Sequence, residues 1–101
     1  MYKNKILNGF EEYLVLKGYS EYTPSGHPST TYDYSHIRIP YVLDVEKIDI
    51  IELAVNIKYY ISKYDIGGSK EREGMKSHRA VINALKRFDE YLGATCFKQN
   101  T

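Results

Sequence analysis

The 101-residue chain has no tryptophan, a single cysteine and no long apolar run. One cysteine, Cys96, cannot close an internal disulfide, and a lone thiol fits a reducing compartment. The apolar stretch around Ile48–Ile51 is broken by charge within a few residues, whereas a membrane-spanning helix needs roughly 20 apolar residues. Charge of one sign is also scarce: the formal net charge is +1, which is not the signature of a strong nonspecific nucleic-acid binder. The N-terminal Met1–Leu7 has no apolar core leading to a small-residue cleavage site, so no secretory signal is expected. The expected location is cytoplasmic.

Clustered chemistry is scarce as well. A metal site needs ligands at short spacing, but His27, His36, His78 and Cys96 are scattered along the chain. Ser35-His36 and Ser77-His78 are sequence neighbours, and adjacent helical residues point in different directions. Gly67-Gly68-Ser69-Lys70 lacks the longer spacing of a phosphate-binding P-loop and reads as a helix-ending turn. No catalytic residue, metal or cofactor is expected, and the chain is not expected to be an enzyme.

What the sequence does have is one domain's worth of amphipathic helix. The composition, 43% hydrophobic and 27% charged, suits a chain of this size with one core. Ile6, Leu7, Phe10, Tyr13 and Leu14 recur at spacings of three and four, which predicts a helix over 3–17 with Gly18 as its stop. Pro24, Gly26 and Pro28 predict a loop over 19–28. Ser29 is then a candidate cap for a second helix over 30–38, which Pro40 must kink or end, with residues 41–47 resuming as helix or forming a short turn. Asp49 with Glu52 forms a cap-like start for a third helix. Its stripe is Ile50, Leu53, Ala54, Ile57, Tyr60, Ile61 and Tyr64, and Gly67-Gly68 closes it. Residues 69–76 read as a charged loop. Ser77 is expected to cap a fourth helix whose core face is Val81, Ala84, Leu85, Phe88, Tyr91 and Leu92, with Gly93 as its stop. No segment alternates with period two. The expected fold is all-α, a compact four- to five-helix bundle formed by residues 1–94, with 95–101 a frayed tail.

Charge is unevenly spread. Residues 41–66 carry Lys47, Lys58 and Lys63 against Asp44, Glu46, Asp49, Glu52 and Asp65, or −2. Residues 67–101 carry seven bases against four acids, or +3. Eleven tyrosines supply rings that pack like aromatics yet keep a hydroxyl for water or phosphate.

Two stretches carry a resemblance. Phe10-Glu11-Glu12-Tyr13-Leu14 leads into Lys17-Gly18-Tyr19-Ser20-Glu21-Tyr22-Thr23, and Ser77-His78-Arg79 leads through Arg87-Phe88-Asp89-Glu90-Tyr91-Leu92. Together they resemble the first and last helices of the core-binding domain of tyrosine recombinases of the phage-integrase type. The resemblance implies a SAM-like helical fold and contact with double-stranded DNA in a protein of a phage or mobile element. Pro24–Ser29 reads as an insertion relative to that family, and Pro40 falls where its second helix continues. The family's catalytic domain is separate, so the resemblance implies no strand cleavage.

On a helical wheel Arg79, Asn83, Lys86 and Glu90 fall opposite Val81, Leu85 and Phe88. Arg, Asn and Lys on one face can contact phosphates and base edges. The expected DNA- or partner-binding set is Arg79, Asn83, Lys86 and Arg87. Lys76 and Arg72 flank it, and Ser77 sits at a helix start where first-turn amides can cradle a phosphate. Tyr34 and Arg38 on the second helix extend the set. Near-neutral charge supports a different expectation, a small protein-interaction module, for example an inhibitor that docks on a nuclease-defence protein.

Overall fold

A computed structural model of the chain describes residues 2–19 and 30–95. The described residues are helical with no strand. The helices are α1 (Tyr2–Leu16), α2 (Thr30–Tyr32), a π-helical segment (Asp33–Arg38), α3 (Ile39–Glu46), α4 (Ile50–Val55), α5 (Ile57–Tyr64), α6 (Glu71–Gly74) and α7 (Lys76–Ala94). They form an all-α bundle with a Cα radius of gyration of 13.0 Å, as expected for one packed domain of about 100 residues.

α1 ends as its sequence predicts. Gly18 takes φ +95°, the Tyr19 amide donates to the Leu14 carbonyl at 3.0 Å, and the Gly18 amide donates to Val15 at 3.0 Å. This is the paired bonding of a glycine-terminated helix. Phe10 and Leu14 from this helix are wholly buried, and Phe10 meets Phe88 of α7 edge to face with ring centroids 5.2 Å apart.

At Pro40 the second helix does not end, and the helical alternative for residues 41–47 is the one observed. Helical structure runs on from Thr30 to Glu46, and Pro40 sits in the first turn of α3. A proline cannot donate to the carbonyl one turn back and crowds it. The wider π-helical turn just before it re-registers the chain so that the proline falls at a helix start, where its missing amide costs least. Ser35 Oγ donates to the Thr31 carbonyl at 2.6 Å inside this segment. Arg38 reaches back five residues to Asp33 at 3.0 Å. The expected cap at Ser29 and the Pro24–Ser29 insertion lie outside the described residues.

The third helix starts where expected, with Asp49 accepting the Glu52 amide at 2.8 Å. It then breaks at Asn56 into α4 and α5. The predicted stripe is buried through Ile50, Leu53, Ala54, Ile57, Tyr60 and Tyr64, with Ile61 half-buried against it. The segment expected to be a charged loop contains α6, whose Gly74 packs so tightly on the Tyr64 carbonyl oxygen that a Cβ would collide with it.

α7 is the central helix, burying Ala80, Val81, Ile82, Ala84, Leu85, Phe88 and Leu92. That set is wider than the predicted stripe because α7 packs against α1, α3, α5, α6 and the π-helical segment. Gly93 lies inside α7 and does not stop it; Thr95 follows the last turn.

Candidate functional site

The start of α7 differs most from its sequence reading. Ser77, His78 and Arg79 have φ of 54°, 59° and 67°, a left-handed turn built without glycine. Ser77 is therefore not the cap: Met75 precedes the helix and caps it with no side-chain bond, and regular right-handed geometry begins only after Arg79. Each left-handed non-glycine residue costs roughly 1–2 kcal/mol. Strain of this kind is concentrated at ligand-binding and switch regions. Lys76, Ser77, His78 and Arg79 are all exposed, so the turn projects four polar side chains in succession.

The expected binding set does not form one solvated face. Asn83 is half-buried and hydrogen-bonded to Tyr34. Burial raises the Tyr34 hydroxyl above its ordinary value, and the Asn83 bond opposes that. Tyr34 in turn stands 6.2 Å from the Tyr19 ring. Arg87 donates through Nη1 to the Tyr19 hydroxyl at 3.1 Å and pairs through Nη2 with Glu90 at 2.9 Å. The bond to Tyr19 holds its guanidinium above the ordinary value. Lys86 points the other way, to Asp65 at 3.2 Å. The wheel placed Asn83 and Lys86 on one face with Arg79, but a helix surrounded by neighbours hands each side chain to a different one.

The flanking residues divide similarly. Lys76 lies over the Tyr41 ring at 5.6 Å and donates to its hydroxyl at 3.3 Å. Arg38 is held by Asp33. Arg72 on α6 and Arg79 in the turn are exposed and make no ion pair among the described residues. Arg79 is close enough to Asp65 to help lower its carboxyl, after the Ile66 amide and Lys86. The two arginines without an ion pair among the described residues thus both stand at the α6–α7 junction, beside Glu71 and Glu73 of α6.

Several pairings had no sequence signal. Glu46, at the end of α3, accepts from Lys63 at 2.8 Å and from Tyr64 at 2.8 Å. Burial opposes its charge, yet these bonds hold its carboxyl below the ordinary range. His36 meets Glu11 at 3.1 Å and stacks on Tyr32. Neither partner lies near the other in sequence. Asp33–Arg38 did have a signal, an opposite-charge pair five residues apart, which suits a π-helical turn. Ser35, neighbour of His36, is committed to the Thr31 carbonyl rather than to an imidazole. No group of three or more metal-ligating side chains converges among the described residues, and none of their helices is long and apolar enough to cross a membrane. His27 and Cys96 lie outside the described residues.

No family model matches the chain, and no curated protein or solved structure matches it.

Proposed function

We propose that this chain is a non-catalytic DNA-binding module whose contact surface is the α6–α7 junction, centred on Arg79 with Arg72 and Lys76. The observation that carries the reading is the exposed left-handed turn, whose Arg79 makes no ion pair among the described residues, with Arg72 on the adjoining α6 likewise unpaired and Lys76 held only by Tyr41. Cations free of internal partners are the ones available to displace counterions from phosphates. Asn83, Arg87, Tyr34 and Arg38 each have an internal partner and are not first contacts in this reading. The resemblance to the recombinase core-binding domain points the same way.

The test is a fluorescence-anisotropy titration of labelled duplexes at two salt concentrations. Binding should fall steeply with salt, and the Arg72→Ala/Arg79→Ala variant should flatten the salt slope by about two units. No binding by the parent at low salt would overturn the reading.

A second reading, docking on a protein, is favoured by a different observation. Ile51, Val55 and Tyr59 are 37%, 70% and 58% exposed on the outer side of α4 and α5, remote in sequence from the basic turn.

A further inference from the structure

We infer that the outer face of α4 and α5, with the groove at its α3 end, is a docking surface for a basic amphipathic helix of a partner protein. The inference rests on the protein-docking reading and gives it a place and a partner chemistry. Ile51 and Val55 stand one turn apart on α4 and Tyr59 is exposed on α5 beyond the break at Asn56, while Ile50, Leu53, Ala54, Ile57 and Tyr60 of the same two helices fill the core. Single exposed apolar residues are ordinary, but a contiguous patch is the mark of an interaction site. The face continues at Ile51 into a groove of about 380 Å³ whose apolar lining includes Leu43, Ile48 and Ile51. Ile51 and Val55 stand about 6 Å apart along α4 at the helical rise per residue, and with Tyr59 and the groove the face suits a partner helix of roughly two to three turns.

The sign of the partner follows from the rim. Elsewhere on these helices acids and bases neutralise one another: Glu46 with Lys63, Asp65 with Lys86, Asp89 with Lys58. Asp44, Asp49 and Glu52 make no ion pair among the described residues. Lys3 lines the groove beside Asp44 and Asp49, and the exposed Lys47 at the end of α3 is likewise without an ion pair, so three carboxylates stand against two lysines and the excess is acidic. Asp49 and Glu52 stand at the start of α4, where the helix dipole favours them. Asp44 stands in the last turn of α3, where the dipole disfavours a carboxylate, so helix stability does not account for it. An apolar face with an acidic rim complements a helix carrying apolar residues three and four apart with Lys or Arg beside them.

The probe is a synthetic peptide of about 14 residues, leucine and lysine in that spacing, with a scrambled version and a leucine–glutamate version as controls. Titration into the ¹⁵N-labelled chain should move amides at 43–59 with the patterned basic peptide alone. Val55→Asp and Asp44→Lys/Glu52→Lys should each weaken binding at least about tenfold, whereas Glu12→Lys on α1 should leave it unchanged. Peptide-induced shifts centred on α1 or α7 instead would overturn this surface while leaving protein docking in place. Failure of the parent to bind any of the peptides would overturn both. A concentration-dependent dimer abolished by Val55→Asp would assign the face to a second copy of the chain and overturn the partner inferred here.

Discussion

Tyr64, wholly buried, donates its hydroxyl to Glu46 Oε2 at 2.8 Å. Burial and the Glu46 carboxylate raise the tyrosine well above its ordinary value, so it stays a donor throughout the accessible pH range. Lys63 donates to the other oxygen of the same carboxylate. One charge at the end of α3 is thereby clasped by two neighbours on α5.

That arrangement predicts an acid limb in stability. Glu46 is held below its ordinary value of 4.5, so its contribution is complete above that value and is lost as pH falls through the lowered one. Glu46→Gln should cost about 1.5–3 kcal/mol at neutral pH, the scale of hydrogen bonds to a charged group. It should also flatten the decline of melting temperature between about pH 5 and 3. An unchanged acid limb would show that other carboxylates govern it.

The glycines of the second half separate packing from propensity. Gly74→Ala drives a methyl into the Tyr64 carbonyl oxygen, backbone that cannot move aside, and should cost several kcal/mol, about as much as a severe overpacking change. Gly93 lies inside α7 with nothing near its added Cβ. Gly93→Ala should stabilise by about 0.5–1 kcal/mol. Urea titration of the two variants checks both signs at once.

What the sequence made legible were features set within a few residues. The Asp49 cap, the Gly18 stop and the apolar stripes each depend on local spacing, and Phe10 and Phe88 meet in the core as those stripes imply. What it hid depends on long-range geometry. Pro40 read as a kink or an end because the π-helical register that accommodates it is a property of the folded segment. Ser77 read as a cap because Ser at a helix start is the commonest solution, and its left-handed turn has no glycine to announce it. Lys86 and Arg87 read as free because the sequence does not say that Asp65 and Tyr19 stand opposite them.

The left-handed turn makes its own prediction. Glycine reaches that conformation without the steric cost other residues meet. Ser77→Gly and His78→Gly should therefore each stabilise the chain by about 0.5–1 kcal/mol, after the greater entropy of glycine in the unfolded state is deducted. Ser77→Ala should bring no gain, because it keeps the Cβ. Thermal melts in which both glycine variants unfold below the parent would show that the junction is right-handed in solution.

The ion pair between Lys86 and Asp65 tests whether positive charge near the turn is held in reserve. Asp65 keeps its Oδ1 on the Ile66 amide at 2.8 Å and offers Oδ2 to Lys86 at 3.2 Å. Asp65→Asn retains an oxygen for the amide and releases the lysine. The pair is partly exposed, so stability should fall by no more than about 1 kcal/mol. If DNA binds at the α6–α7 junction, the released Lys86 and the lost carboxylate should strengthen binding and steepen the salt slope by about one unit. Lys86→Ala in the parent should change little, since that lysine is already occupied. In the Asp65→Asn background the same substitution should remove most of the gain. Equal affinity of Asp65→Asn with and without Lys86 would mean that only the carboxylate's repulsion had been relieved. Lys86 would then be a strut between α5 and α7, with the phosphate contacts left to Arg72, Lys76 and Arg79.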